Sequence, residues 1–523
     1  MKNPTQVIRY VPIAWLIVLL QINILQAQKP TRVQIIDADE LRFDKRLGEN
    51  IQRLIGHVIL KHDSTYLYCD SAHVNEVTNS FKGFGNVRIK SSDTLNIYSD
   101  LVYYEGNTKT AELIDNVKLI DSRATLTTQR LWYDRKNRIA YYTTGGKIVD
   151  TTNVLTSTKG YYYTDLQQAY FKDDVVLVNP DYIMNTDTML YYTETEVSTF
   201  LGPTTITSEE NLIYCENGWY DTRNNKSQFN RNAYFLTDEQ KLEGDSLFYD
   251  RTLNFGKAFN HVILTDTVQN MMILGNYGEF RKSQGYSFIT DSATAVLIEK
   301  EDSLFLHSDT LWIYFDDEEQ VEFLYAYKHA KFFRTDMQGK CDSLVYKFAD
   351  STIFLYDDPV LWSQQNQLTA DSIRIAMANG QIDSLALLSS SFIISMDDTL
   401  TASTFNQIKG KNMVGYFKDN QMNSVKIFGN AESVFYVREE SGELMGINKT
   451  TSSDMVIYIA DNEVKVITPI RNVEAHMYPD AEFPSDDRRL KNFIWHEGIR
   501  PRTKDDIYTW KSEAPPLSPE QQP

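Results

Sequence analysis

Eight histidines, three cysteines and 71 acidic residues carry whatever chemistry this 523-residue sequence could perform. Metal binding needs His, Cys or carboxylates at tight spacing, and glycoside hydrolysis needs one unique pair of carboxylates at a set separation. The nearest histidines, His57 and His62, fall on opposite faces of a strand if that strand runs straight. The sequence holds no HExxH, paired CxxC, G-x-S-x-G or phosphate-loop pattern. It therefore predicts no metal, no cofactor and no enzyme. The acids recur in place of clustering: Asp187, Glu216 and Asp245 occupy the same position of successive units. Acids repeated in every unit read as strand-start or turn residues. Each cysteine precedes an acid of that series, as Cys69-Asp70, Cys215-Glu216 and Cys341-Asp342. Other units hold Ala38, Ser99, Gly244, Ser308 or Ala370 there, so the position reads as a slot for a small, half-buried side chain. An odd number of distant cysteines argues against a disulfide framework.

A recurring polar residue, most often an acid, anchors a short pattern: polar residue, any, apolar, any, apolar. Its positions are Asp39, Asp70, Asp100, Gln129, Lys159, Asp187, Glu216, Asp245, Asn276, Asp309, Asp342, Asp371, Asn412 and Asp454. About fourteen units of roughly 30 residues result, with a looser period after Asn276. The two apolar positions lie two apart and so share one face of a strand. They include Val102 and Tyr104, Leu131 and Tyr133, Met189 and Tyr191, Leu247 and Tyr249, Leu311 and Ile313, and Leu344 and Tyr346. A second stripe recurs between the anchors: Val58 and Leu60, Val87 and Ile89, Val117 and Leu119, Val262 and Leu264. Turn chemistry such as GN, DN, NP and RNNK is expected to separate these segments. Helical periodicity is poor. The prediction is an all-β array in which each repeat is buried by its neighbours, with one buried and one wet face per strand. Its aligned inward stripes form a dry core if the two sheet faces meet and a continuous apolar groove if they splay.

The chain is rich in Tyr (32) and Phe (26), which favours strands, and its formal charge of −19 excludes a phosphate-rich nucleic-acid partner. Lys2 and Arg9 precede the apolar run VPIAWLIVLL and then LQAQ. This reads as a secretory signal peptide over residues 1–27, cut after Ala27. After Arg471 the repeat breaks into a tail dominated by Pro and charge, with a disordered end. Within it, LKNFIWHEGIRP, with Phe493, Ile494 and Trp495, is too apolar for a pure linker and is expected to dock on the last repeat, with binding of a partner as the alternative.

Alternating "AD-x-L-x-Y" and "GNVxL" strands in a secreted chain resemble the OstA/LptA family. That family includes the periplasmic lipopolysaccharide-transport bridge and the N-terminal domain of its outer-membrane partner. The matching residues are Ala38-Asp39-Glu40-Leu41-Arg42-Phe43, Gly85-Asn86-Val87-Arg88-Ile89, Asp115-Asn116-Val117-Lys118-Leu119, Ala370-Asp371-Ser372-Ile373 and Gly429-Asn430-Ala431. The resemblance implies an elongated, solenoid-like β-jellyroll open along one side, a "β-taco". Repeats over 33–290 would be followed by looser ones over 291–470 and the tail over 471–523. Its lumen, lined by the stripe residues named above, would take the acyl chains of lipopolysaccharide or a related glycolipid. Other Lpt-type envelope proteins, or a second copy, would join by edge-strand pairing at Ile35–Phe43 or Val456–Ile467. The place implied is the periplasm of a Gram-negative bacterium, close to the outer membrane. Two other readings stay open: a secreted parallel β-helix acting on or binding polysaccharide, and a dry-core envelope scaffold or adhesin. Trp132, Trp219, Trp312 and Trp362, four of the seven tryptophans, are spread along the sequence and do not cluster in it.

Overall fold

A computed structural model describes residues 31–510, apart from 44–45, 91–94, 122–123, 164, 210, 300–301, 319, 379–380, 398–403, 419–420, 440 and 461–462. The expected signal peptide and the expected disordered end lie outside the described residues. Regular structure is β-strand throughout, with a few short 3-10 turns, and the chain is an array of antiparallel strands of the jellyroll type. Every strand pair with a defined register is antiparallel, which rules out the parallel β-helix.

One repeat is two long strands, such as Thr65–Asn75 followed by Ser80–Lys90. Each strand bends sharply near its middle. In alternate strands the bend is a pair of residues with left-handed φ: Gly56 and His57, Gly85 and Asn86, Asp115 and Asn116, Asn260 and His261, Gly429 and Asn430. Gly, Asn and Asp tolerate this region at least cost, which explains the GN and DN dipeptides. These dipeptides are therefore corners inside strands, whereas RNNK is a true hairpin turn after Leu212–Asp221. The partner strand slips register at the same level, for example between Tyr68 and Ser71. Every long strand thus contributes one half to each of two facing sheets.

The repeated acid stands at this corner and clasps the left-handed pair of the next strand. Asn86 donates to Asp70 (2.9 Å), Asn116 to Asp100 (2.6 Å) and Asn232 to Glu216 (2.9 Å). A histidine replaces the asparagine at His57 on Asp39 (2.9 Å), His261 on Asp245 (3.0 Å) and His329 on Asp309 (2.9 Å). The strand-start reading holds for Asp39, Asp309, Asp342 and Asp371, each directly before a strand, and is corrected for Asp70, Asp100 and Asp245, which sit inside Thr65–Asn75, Asn96–Glu105 and Gln240–Asp250. The bulge shifts side-chain parity. Leu67 and Cys69 point inward before it, Ala72 and Val74 after it, a step of three where two is normal.

The described chain divides into two compact units, Met1–Thr151 with Tyr161–Asp165, and Thr152–Gly160 with Leu166–Pro523. In the first, Leu54, Val74, Val102 and Leu113 of one sheet meet Val58, Leu60, Val87 and Val117 of the other in a single core. In the second, long bent strands run from Gln168–Asn179 to Met271–Arg281. Between Tyr286 and Ala378 each is broken at its corner into two short strands, such as Tyr286–Thr290 and Thr294–Leu297. Long strands resume with Gln381–Met396.

Candidate functional site: the lumen and its outer cover

The inward stripe makes a wedge. The rung nearest the corner is buried in every repeat named: Val58, Val87, Val102, Val117, Leu131, Met189, Leu247, Val262, Leu311 and Leu344. Of the second rung, Leu60, Ile89 and Ile313 are also buried. Leu119, Tyr104, Tyr133, Tyr191, Leu264 and Tyr346 are half-buried, and Tyr249 is 37% exposed. Burial therefore falls from the corner toward the row of hairpin turns, where the two sheets form a mouth lined by tyrosine. In the first unit the sheets touch along their length. The space left at the mouth is about 30 Å³, lined by Leu60, Leu67, Phe81, Ile89, Tyr104 and Tyr133, about the share of one water molecule.

A polar cluster closes this mouth. The corner at Gly56-His57 turns the strand, so His62 points inward and is buried, while His57 stays in solvent against Asp39. His62 Nδ1 lies 2.5 Å from the Tyr104 hydroxyl, and its Nε2 lies 2.9 Å from the Thr31 carbonyl. Arg135 donates to the His62 carbonyl (3.1 Å). Asp63 pairs with Lys109 (2.8 Å) and Arg135 (3.3 Å). The Lys109 hydrogen bond, with one from Thr31, holds the Asp63 carboxyl down at about 2. Burial pushes the Tyr104 phenol up to about 12.

The cysteines lie on the lumen side just before the corner. They are fully buried, not half-buried: 5% exposed at Cys69 and 1% at Cys215 and Cys341. Burial raises the Cys69 thiol to about 12 and the Cys215 thiol to about 11, so neither is a nucleophile at neutral pH. Among the described residues no cluster of three His, Cys, Asp or Glu side chains could hold a metal ion.

The sequence reading missed a second surface. In the second unit, one sheet is buried on both faces between Thr294 and Thr451, which corrects the expectation of a wet outer face. The tail lies on it. After the edge strand Glu474–Tyr478 the chain turns onto the outer face and runs back across the strands. Three buried glutamines hold it. Gln407 donates to the Arg488 carbonyl (2.8 Å) and accepts from the Leu490 amide (2.8 Å). Gln367 does the same with Ile494 (2.8 Å) and His496 (2.7 Å). Gln338 accepts two bonds from the Arg500 guanidinium (2.8 and 2.6 Å). Lys331 then reaches the Thr509 carbonyl (2.5 Å). Phe483, Leu490, Phe493 and Trp495 pack on Phe392, Ile394, Phe405 and Val434, and Ile499 packs on Val360 and Trp362. LKNFIWHEGIRP thus docks across several repeats and not on the last one alone. A signal was present: outward positions that hold Arg88, Lys90 and Lys118 early in the chain hold Val360, Trp362, Phe392 and Ile394 here.

The first strands, Gln34–Asp37 and Glu40–Phe43, pair only with Ile51–His62 and leave Leu41 and Phe43 exposed. At the other end the outermost strands are Glu463–Ile470 and Glu474–Tyr478, both paired with Leu444–Ala460. Val456 belongs to that inner strand, so only the later part of the expected edge segment is an edge.

Residues 30–187 match the family model of OstA-like proteins. Residues 295–381 match that of the LptA/(LptD N-terminal domain) LPS transport proteins. No curated protein matches the chain. Among solved structures, one similar chain is LptH, the LptA homologous periplasmic component of the lipopolysaccharide transport device of Pseudomonas aeruginosa. It is 11% identical, covering 28% of this chain and 99% of its own, with a TM-score of 0.22.

Proposed function

We propose, from the premise that this chain is an OstA/LptA-like family member, that it is a periplasmic bridge carrying lipopolysaccharide or a related glycolipid toward the outer membrane. The observation that carries the reading is the wedge found in each unit: a buried apolar rung at each corner, repeated from strand to strand, with a second rung toward the mouth that is mostly half-buried. An acyl chain gains about 0.8 kcal/mol per buried CH₂ without any specific contact. A uniform apolar column therefore holds a lipid and still lets it move along. Because the two sheets touch, the chain would enter by parting them at the mouth, where Tyr104, Tyr133 and Tyr249 are already partly exposed. The acidic surface keeps a phosphorylated head group outside. Strands with a free edge at Glu40–Phe43 and Glu463–Ile470 fit β-augmentation by Lpt-type partners or a second copy. The reading is of a transport component and not an enzyme.

The test is photo-crosslinking in cells. Probes at Val117, Leu247 and Tyr346 are expected to capture labelled lipopolysaccharide, and probes at the outward Arg88 and Lys118 are not. Equal capture at inward and outward positions would sink the lumen as the route. The close contact of the two sheets in the first unit favours one second reading, a dry-core envelope scaffold. Native mass spectrometry separates the two: fully folded protein that never co-purifies with glycolipid supports the scaffold.

A further inference from the structure

The outward face of the other sheet in the second unit, uncovered by the tail, carries a second surface. Across the neighbouring strands Tyr286–Thr290, Thr310–Phe315, Val321–Tyr327, Ser343–Lys347 and Thr352–Tyr356, the residues Phe288, Trp312, Tyr325, Val345 and Phe354 stand in one register row. Tyr286, Tyr314 and Phe323 continue a second row beside it. The rings touch: Phe288 and Trp312 are 4.8 Å apart, Tyr286 and Trp312 5.6 Å, Tyr314 and Phe323 4.5 Å. They are half-buried, with their neighbours Tyr327 and Tyr356 at 40% and 41% exposure. Tryptophans that looked scattered in the sequence thus include one at the centre of a contiguous aromatic floor.

We infer that this floor is a binding site for an anionic saccharide chain. A pyranose ring presents a face of C–H bonds with partial positive charge, which an aromatic π-face of negative potential accepts. Rings recur at the strand spacing of about 4.8 Å, close to the advance of one sugar unit, and five strands give a floor long enough for several units. At its corner end Thr290 and Thr310 are half-buried, Thr290 donating to the Asp309 carbonyl (2.9 Å) and Thr310 to Thr290 (3.2 Å), so their hydroxyls face a sugar as acceptors. The charge favours an acidic sugar. Among the described residues of the strands from Phe255 to Ala378, the charged side chains on this outward face are Lys257, Arg281, Lys347 and Arg374 against Glu279. Glu279 is already engaged by Arg281 (2.6 Å) and Lys257 (3.4 Å). A net positive patch on a chain of net charge −19 attracts a local anion while the whole repels a long polyphosphate. A buried aliphatic contact with another protein would not need hydroxyls and cations between the rings.

The saccharide could belong to a glycolipid or to a free polysaccharide, and the probes separate these. The full chain is titrated with alginate, a lipid-free polyuronate, with oligosaccharide from deacylated lipopolysaccharide, and with neutral dextran, read by tryptophan fluorescence and affinity electrophoresis. Binding to at least one acidic probe, with dextran weaker, is expected. Trp312→Ala should weaken it by about tenfold, about 1.4 kcal/mol, while Trp312→Phe stays within about threefold. Tyr356→Ala, at an exposed position, should weaken it severalfold with the circular dichroism unchanged. Arg374→Gln should flatten the salt dependence. Binding of alginate alone assigns the site to free polysaccharide; binding of the oligosaccharide alone assigns it to the glycolipid sugar. The inference is overturned if neither acidic probe binds, if the Trp312 and Tyr356 variants bind like the parent, or if single-stranded DNA binds as tightly as the sugars. None of these outcomes depends on crosslinking in the lumen.

Discussion

Replacing Gln407 with Leu tests whether the tail is held by side chains that read its backbone. Gln407 is fully buried, and its amide makes two bonds to the tail, to the Arg488 carbonyl and from the Leu490 amide, both 2.8 Å, beside a longer one to the Phe405 carbonyl of its own strand (3.2 Å). Leucine fills similar volume but makes neither bond. Two hydrogen bonds are worth about 1 kcal/mol each, and a buried group left without a partner costs about 1–3 kcal/mol. Leu490 is buried, so its amide bears that cost, while the Arg488 carbonyl at the more exposed margin recovers part of it from water. About 3 kcal/mol follows. In a local opening of the tail this becomes an increase of about 150-fold in amide exchange over residues 488–496. Hydrogen exchange with mass spectrometry on the full chain reads it, and amides of the first unit, such as Val87 and Val117, should not change. Exchange within about threefold of the parent over 488–496 in the Leu variant would refute the idea that these glutamines hold the tail.

Two further outcomes follow from the corner and the mouth. Asp63 has a carboxyl pKa of about 2, depressed from 3.8 chiefly by Lys109 and Thr31. A depressed pKa means its contribution is present above the unfolded value and is lost as pH falls; the difference is worth about 2 kcal/mol. Asp63→Asn should therefore lower stability at pH 7 by about 1–2 kcal/mol, with the gap closing between about pH 4 and pH 2 in urea titrations. A gap that is constant with pH would show that the ion pair is not its source. Gly85 has φ +71°, and a Cβ there would press on the Asp70 carboxylate. Gly85→Ala should cost at least about 1–2 kcal/mol, whereas Asn86→Gly should cost less; a neutral Gly85→Ala in thermal melts would contradict the corner geometry.

The period, the all-β class and the inward stripe were legible because they rest on side-chain parity. The acids of the long bent strands misled for the same reason. A three-residue step from Cys69 to Ala72 resets the alternation at Asp70, and a reset alternation reads as the start of a strand when it is a bend within one. The opposite facing of His57 and His62 was legible too: His57 stands in solvent at the corner, and the regular alternation through Val58 and Leu60 carries His62 inward. The cover on the outer face was written in Val360, Trp362, Phe392 and Ile394, yet an apolar outward position names no partner by itself. The partner lies about a hundred residues later, and no local pattern joins Gln367 to His496. The aromatic floor was hidden by distance too: Phe288, Trp312 and Phe354 are neighbours only once register is known.

The glutamine contacts give the tail a fixed gearing to the array. From Gln407 back to Gln367 the array steps by one repeat, and the tail steps by six residues, from Leu490 to His496. An array whose repeats touch only their neighbours can gain or lose one unit at little cost elsewhere. Beneath the tail that freedom is lost. A duplication of one repeat between Thr294 and Thr451 would leave the tail about six residues short of its last anchors. The evolutionary signature is a paired change: among related chains, insertions or deletions of whole repeats in this stretch should travel with short length changes in the C-terminal segment, while those in the first unit should not.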